Sequence, residues 1–275
     1  MNISTADDDV RYVPDEHFAP GDFCSIAHES RYQWLAENYN LAGKLVLDFG
    51  CGSGYGANFL AGKARSVQGV DISDSAIRHA SASYSGSKNL QFMALDLTMP
   101  DLNRHIPSKF DVIVSFDVVE HVEQYWRFIA NIESLLAEGG VAVIGCPNRL
   151  ATFRYNTSWN MHHVQEFTPS QLYWLLKQYF QQVEILGQDF RTSELREACS
   201  TALTQHSSGV SLKRAVLGSI KQSLPESALN LLRKARSGVS GYRKYTLDDM
   251  RIARINLDDP ATCEQPFGLV ATCSR

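Results

Sequence analysis

The sequence predicts an α/β protein built on a doubly wound, mostly parallel sheet of seven strands, with a helical insertion before the last strand. Two observations support this fold class. Short apolar runs alternate along the chain with segments of helical period, and this alternation is typical of parallel sheets covered by helices. The strand candidates are also apolar at nearly every position, which indicates burial on both faces of the sheet.

The elements can be assigned in order from the N-terminus. Residues 1–20 show no period, and a first helix is predicted over 25–39. Strands are predicted at 45–49, 67–71, 90–95, 110–116, 141–146 and 183–186. Further helices are predicted near 58–62, 74–82, 122–136 and 170–179. Asp74 is the predicted N-cap of the helix at 74–82, and Gly139 and Gly140 end the helix at 122–136.

The same patterns divide the chain into four parts. Residues 1–40 form an N-terminal segment and helix, and 41–190 form the core that carries the ligand-binding motifs. Residues 191–246 read as a helical insertion, a cap or an interface, in which Pro225 suits the first turn of a second helix. Residues 247–275 are predicted to supply terminal strands that complete the sheet.

Composition restricts the class of protein. The chain has 275 residues, of which 44% are hydrophobic, and no apolar run approaches the ~18–20 residues that span a bilayer. Its acidic start, Asp7 to Asp9, is unlike a signal peptide. The six cysteines lack CxxC spacing, so we expect reduced thiols and a cytoplasmic location. From the short apolar runs we expect no stable membrane insertion.

Charge is unevenly distributed. Residues 191–254 carry 12 Lys and Arg against 5 Asp and Glu, a balance of +7, while the remainder carries 14 against 25, a balance of −11; together they give the net −4. An acidic core without an arginine-rich stripe argues against nucleic acid as a partner. The basic segment is either a solvated helical surface or a face toward a phosphorylated group or membrane surface.

A glycine-rich turn carries the clearest functional signal. An apolar run ends in Asp48, glycines follow at alternate positions from Gly50 to Gly56, and a second apolar run closes on Asp71. A buried strand, a turn that lets the backbone approach a ligand, and an acid at the end of the next strand describe a nucleoside-binding unit.

The spacing of the turn separates two cofactor classes. A dinucleotide fingerprint that starts at Gly50 and Gly52 requires a third glycine where this chain has Tyr55. The carboxylate of Asp48 would repel a pyrophosphate but attract a cation. The charge therefore favours S-adenosylmethionine, with its sulfonium and amine, over a nicotinamide dinucleotide.

Four consecutive motifs, VLDFGCGSGYG, GVDIS, ALDL and FDVIVSFDVVEHV, resemble the motif series of class I S-adenosylmethionine-dependent methyltransferases, which have a Rossmann-like fold. The resemblance covers residues 41 to about 187. It implies that Asp71 accepts the ribose hydroxyls and that Asp96 accepts the adenine amine. The full set of implied cofactor-binding residues is Arg31, Asp48, Gly50, Gly52, Asp71, Ile72, Asp96, Leu97 and Ser115.

A second pattern concerns the chemistry. The segments D-x-x-E-H and H-x-x-E-F-T resemble the metal site of the small-RNA 3′-terminal 2′-O-methyltransferases, although glutamate is usual where this chain has Asp117. The resemblance implies that Asp117, Glu120, His121 and His163 hold a divalent metal, with Mg²⁺ expected. Alternatively, Glu120 and His121 belong to the E-H-V element of metal-free enzymes, and His121 or His163 is the general base. The predicted catalytic residues are Glu120, His121 and His163.

The acceptor is predicted from weaker patterns. The segments AHESRY and PNR, followed by a helical insertion, resemble bacterial methyltransferases of sugar and polysaccharide pathways. We therefore expect a sugar hydroxyl within a small-molecule or glycan substrate, and a homodimer formed through the insertion. The alternatives are the 2′-hydroxyl of an RNA 3′ end, a quinone-pathway catechol, a nicotinamide oxidoreductase and a non-catalytic cofactor-binding subunit.

Overall fold

The computed structural model describes residues 23–154, 162–197, 246–264 and 266–275. The N-terminal segment that was predicted to be irregular, most of the predicted insertion and the dimer contact predicted for it lie outside the described residues. Within them, α/β alternation is confirmed as the organising pattern of the fold.

The described residues form one sheet with strand order β3-β2-β1-β4-β5-β8-β6-β7. Strands β1 to β5 are parallel neighbours, whereas β8 is antiparallel to both β5 and β6. Strand β6 therefore points the same way as β1 to β5, and their carboxyl ends share one edge of the sheet. The strands are β1 (Leu45–Phe49), β2 (Ser66–Asp71), β3 (Leu90–Ala94), β4 (Phe110–Phe116), β5 (Leu136–Pro147), β6 (Gln182–Phe190), β7 (Met250–Arg254) and β8 (Gly268–Ser274).

The strand count corrects the prediction of seven. Residues 250–254 pair antiparallel with the end of β6 and extend the sheet by an edge strand. Strand β5 also begins earlier than expected, because Leu136 already pairs with Phe110. A register shift and a positive φ of 70° at Gly139 absorb the extra residues before the regular pairing from Val141 onward.

The described helices are α1 (Phe23–Asn38), α2 (Tyr55–Ala61), α3 (Asp74–Ser83), α4 (Tyr125–Leu135), α5 (Arg149–Arg154), α6 (Pro169–Leu176) and α7 (Pro260–Glu264), with 3₁₀ turns at Leu102–Arg104, Val119–His121 and Leu247–Asp249. Helices α1 to α4 and α6 lie near their predicted places, whereas α5 and α7 were not predicted. The N-cap of α3 is Ser73, whose hydroxyl accepts from the amide of Ala76, and not the predicted Asp74. None of the described helices is long and apolar enough to cross a bilayer.

Among the described residues, two large apolar clusters form the core, one on each face of the sheet, and a third, small cluster contains Ile26, Phe190, Leu195 and Met250. One of the large clusters contains Phe49, Phe128 and Leu172, so α4 and α6 pack on that face. The other large cluster contains Leu35 and Leu60 from α1 and α2. The four cysteines whose side chains are described are buried free thiols, namely Cys51, Cys146, Cys263 and Cys273, as the spacing predicted.

Candidate functional site

The glycine turn after β1 has a backbone that other residues would strain. Gly50 has φ of 96°, and a β-carbon there would lie 2.4 Å from a methyl carbon of Val118. Gly52 has φ of 51° and faces open space, with no heavy atom within 4 Å of such a carbon. The amides of Gly50 and Cys51 both donate to the carbonyl of Val70. The turn is therefore tied to the end of β2 and leaves a gap above Gly52.

Asp71 closes this gap from the end of β2. Its side chain is buried, and its two oxygens accept from the amides of Gly52 and Ser73, each at 2.9 Å. A carboxylate oxygen has two lone pairs, so these bonds leave capacity for a ligand's hydroxyls. The neighbouring Ile72 exposes 62% of its surface, which is unusual for isoleucine and suits a flat apolar group resting on it.

Asp48 lies beneath the turn and is fully buried. The hydroxyl of Tyr32 donates to its two oxygens at 3.2 and 3.3 Å. Burial raises the pKa of Asp48 to about 7, and the nearby charge of Asp71 adds to the rise. Asp48 is thus a carboxyl group that a cationic ligand would help to ionise.

Three further predicted cofactor residues have other contacts. The carboxylate of Asp96 is exposed and accepts from the amide and hydroxyl of Thr98. The Leu97 side chain is buried in the core. The hydroxyl of Ser115 is buried and donates to the carbonyl of Phe49 at 2.7 Å, which joins β4 to the end of β1.

Asp117 begins the second half of the site and is held by charges. It adopts φ of 56°, a left-handed conformation that aspartate enters more readily than most residues. One of its oxygens lies 2.5 Å from Arg31 Nη1 and 2.8 Å from His28 Nδ1. Burial alone would raise the pKa of Asp117, but the charges of Arg31 and His28 outweigh it and hold the pKa well below its usual range.

The partner of Asp117 is itself fixed from a distant strand. Arg31 is buried, and its Nε donates to Oε1 of Gln188 at 2.7 Å. The side-chain nitrogen Nε2 of Gln188 donates in turn to the carbonyl of Ala27 and the hydroxyl of Ser30. Burial would lower the pKa of Arg31, yet the charge of Asp117 raises it above its ordinary value. Helix α1 is thereby joined to the ends of β4 and β6.

Glu120, His121 and His163 form a cluster beside this ion pair. Each offers one ligand atom, and these atoms lie within 4.8 Å of one another. Glu120 is 1% exposed, and neither of its oxygens has a hydrogen-bond partner among the residues that the structure describes. Burial, followed by the charge of Asp117, raises the pKa of Glu120 well above its ordinary value.

The two imidazoles of the cluster meet edge to face, with ring centroids 4.8 Å apart. The Nδ1 of His121 lies 3.0 Å from the carbonyl oxygen of His162, so it donates there and Nε2 offers the lone pair. Desolvation lowers the pKa of His121 despite this bond, and the neighbouring His163 adds to the effect. The His121 ring is therefore neutral near pH 7, as a ligand or base must be.

Main-chain bonds bring His163 to Glu120. The amides of Val164 and Gln165 donate to the carbonyl of Glu120 at 2.8 and 3.1 Å. Phe167 is buried in the core and bridges Asn148, and Thr168 forms a capping box with Gln171 at the start of α6. The motif H-x-x-E-F-T thus contains a core anchor and a helix cap in its last two residues.

The predicted metal ligands are only partly brought together. Residues 119–121 form a single 3₁₀ turn, so Asp117 does not share a helical face with Glu120 and His121. Asp117 lies outside the cluster and is paired with Arg31 and His28.

Two residues of the site were missed in the sequence. Glu166 was signalled by its spacing in H-x-x-E, whereas Gln188 lies 157 positions from Arg31 and had no signal.

Comparisons with known proteins identify the family of the chain. The family described as a methyltransferase domain matches residues 17–180. A probable S-adenosylmethionine-dependent methyltransferase of Mycolicibacterium smegmatis is 35% identical over 152 residues, covering 54% of this chain and 56% of that protein. A ubiquinone biosynthesis O-methyltransferase of Rickettsia canadensis is 30% identical over 155 residues, covering 52% and 64%. The chain spans less than two thirds of the length of either relative.

A solved structure extends the likeness of the fold. The S-adenosylmethionine-dependent methyltransferase, possible histamine N-methyltransferase, of Thermotoga maritima superposes with a TM-score of 0.54 at 13% identity, covering 91% of this chain and 89% of that one. With more than half of its residues matched by the family, this chain belongs to the methyltransferase-domain family and has the Rossmann-like fold of the S-adenosylmethionine-dependent enzymes.

Proposed function

We propose that the chain is an S-adenosylmethionine-dependent O-methyltransferase that methylates one hydroxyl of a vicinal diol, with a sugar as the acceptor. The glycine turn, Asp48 and Asp71 bind the cofactor. The cluster of Glu120, His121 and His163 receives the acceptor. Both halves lie at the carboxyl edge of the sheet, where open α/β folds bind ligands.

The observation that carries the proposal is the bare carboxyl group of Glu120. A buried carboxyl group without a partner costs about 1–3 kcal/mol or more, and two imidazoles lie within 4.8 Å of it. A purely structural glutamate would be expected to bond to a neighbouring backbone group. The arrangement instead suits a hydroxyl group or a cation supplied from outside the chain.

The reaction needs positioning and one proton transfer. The acceptor oxygen attacks the methyl carbon as its O–C bond forms and the C–S bond breaks, and the electron pair of that bond stays on sulfur. The hydroxyl proton passes to an imidazole of the cluster, so the sulfonium becomes a neutral thioether and the imidazole carries the charge. Alignment of the two reactants contributes several kcal/mol, and the base contributes about 10²–10⁴-fold.

The cluster also fits a divalent metal. Glu120 offers oxygens without a partner, and His121 is held by His162 with Nε2 as its donor atom; His163 is similarly held by a carboxylate, a common support for metal-binding histidines. Glu120, His121 and His163 would hold the ion. When bound, it would lower the pKa of the hydroxyl to be methylated.

A catechol is the second candidate acceptor. The relatives named as ubiquinone biosynthesis O-methyltransferases favour it, and a catechol also presents two adjacent hydroxyls. The PNR segment no longer bears on the choice, because Asn148 is buried and donates to the carbonyls of Cys263 and Pro266. It serves the fold.

A methyl-transfer screen with radiolabelled cofactor tests the proposal. Sugars and catechols should be assayed beside analogues that lack one of the two adjacent hydroxyls, with small RNA as a further arm. We expect transfer to a diol, at least tenfold slower transfer to its deoxy analogue, and loss of activity in EDTA that Mg²⁺ restores. Full activity in EDTA would leave the metal-free base mechanism, and transfer to RNA alone would overturn the choice of acceptor.

A further inference from the structure

Glu166 has a contact pattern that folding does not explain. Its side chain is 3% exposed, and Oε1 lies 2.7 Å from Nδ1 of His163. Its other oxygen is buried and has no hydrogen-bond partner among the described residues. The two residues that follow it have structural contacts, since Phe167 is in the core and Thr168 caps α6. The side chain of Glu166, in contrast, is hydrogen-bonded to His163.

The bond decides which nitrogen of His163 is available. A carboxylate can only accept, so Nδ1 carries the hydrogen and Nε2 keeps the lone pair. The backbone bonds of Val164 and Gln165 to Glu120 place the main chain of His163, but they do not fix the rotation of its ring. Two contacts of the ring that do bear on its rotation are the hydrogen bond from Nδ1 to Glu166 and the edge-to-face contact with His121, with ring centroids 4.8 Å apart.

We propose that Glu166 is a positioning residue of the site, because its carboxylate accepts the Nδ1 hydrogen of His163 and holds the ring with Nε2 as its reactive atom. The inference rests on the proposed function of the cluster. It applies equally when Nε2 binds a metal and when it takes the acceptor's proton. The uncompensated burial of one Glu166 oxygen is the stability cost of this arrangement.

The tautomer of His163 can be measured without turnover. The full chain, labelled with ¹⁵N-histidine, is studied by two-bond ¹H–¹⁵N correlation above the range where imidazoles are protonated, and the His163 signals are assigned from His163→Gln. We expect wild-type His163 to carry its hydrogen on Nδ1, and Glu166→Ala to shift it to a mixture or to Nε2. Glu166→Gln keeps the shape without the charge and should give an intermediate result.

A second readout uses Mn²⁺ alone. Its affinity for the cofactor-free chain, measured by electron paramagnetic resonance, should fall about 10–100-fold in Glu166→Ala. Cofactor affinity should stay within threefold, which confirms that the variants are folded. The matched control is Glu123→Gln, which removes an exposed acid near His121 and should change neither the tautomer nor Mn²⁺ binding.

The outcomes separate the inference from the proposed function. A His163 tautomer that is Nε2–H in the wild type, or unchanged in both Glu166 variants, overturns the positioning role. A different outcome is that the wild type binds no Mn²⁺, while Glu166→Ala shifts the tautomer and lowers kcat. In that case Glu166 still positions His163, and only the metal part of the proposed function is wrong.

Discussion

The two halves of the site are built in different ways. The cofactor half uses residues close together in the chain, and main-chain bonds hold it, as between Gly50 and Val70 and between Gly52 and Asp71. The acceptor half draws on α1, the end of β4 and the segment after residue 161, and side-chain contacts join Arg31 to Asp117 and His163 to Glu166. A pattern in the sequence records the first kind of contact far better than the second.

The difference also concerns charge. In the cofactor half, Asp71 is bonded to two amides and Asp48 to a tyrosine. In the acceptor half, Glu120 is buried, and neither of its oxygens has a hydrogen-bond partner in the part of the chain that the structure describes. The carboxylates of the cofactor half are therefore bonded within the chain, whereas we propose that a bound acceptor or cation completes the surroundings of Glu120.

Removing Asp71 should have the largest effect on the cofactor half. Asp71→Ala removes the carboxylate that we propose accepts two ribose hydroxyls, and each hydrogen bond to a charged group is worth about 1.5–3 kcal/mol. We expect cofactor affinity to fall about a thousandfold in calorimetry. The control is Asp74→Ala, which removes an exposed acid at the start of α3; equal losses in both variants would refute the role of Asp71.

His163→Ala should damage the other half alone. It removes a metal ligand or base, so kcat should fall about a hundredfold to a thousandfold, while cofactor affinity stays within threefold. Single-turnover kinetics and calorimetry on the same preparation measure both quantities. A loss of cofactor affinity with kcat preserved would mean that the two halves are not separate.

Asp117→Asn tests which half Asp117 serves. Asparagine tolerates the left-handed backbone but leaves Arg31 buried without its counter-charge, so we expect a loss of about 3 kcal/mol in the free energy of unfolding. Urea titration measures it. Mn²⁺ affinity should change less than threefold.

The matched variant Glu120→Gln should show the opposite pattern, with Mn²⁺ affinity lost and stability retained. If Asp117→Asn weakens Mn²⁺ binding as much as Glu120→Gln does, Asp117 is a metal ligand, as the D-x-x-E-H pattern predicted.

Asp48 should give the smallest effect, seen as a pH dependence. Its pKa is about 7 in the folded chain, and a cationic ligand binds better to the ionised form. Cofactor affinity should therefore rise about tenfold between pH 6 and pH 8, and Asp48→Asn should make it flat and weak. An unchanged pH profile in the variant would show that another group is responsible.

Stability should depend on pH in the opposite sense. The folded chain holds the Asp48 proton more tightly than the unfolded chain, whose pKa is near 4, so wild type loses stability as pH rises from about 4 to about 7. Asp48→Asn lacks this loss. Urea titrations at pH 5 and pH 8 should show the variant gaining on wild type at the higher pH.

Much of the fold could be predicted because its signals are local. The strands of the core and helices α1 to α4 and α6 lie within a few residues of their predicted places, since burial on both faces and helical period are written along the chain. The strand at 250–254 lies within the segment that was predicted to supply terminal strands, and only the total of seven strands was wrong. Its pairing depends on β6 being available beside it.

What the sequence by itself determined is the cofactor half: the positive-φ turn demands glycine at Gly50 and Gly52, and Asp71 must end its strand beside that turn. Only the tertiary structure decided which basic side chains pair with the acids of the acceptor half. Asp117 pairs with Arg31 and His28, and Glu166 is hydrogen-bonded to His163. Such contacts depend on which side chains lie close together in the folded chain. The H-x-x-E spacing marks Glu166, but no spacing along the chain records that Asp117 pairs with Arg31, which lies 86 positions away.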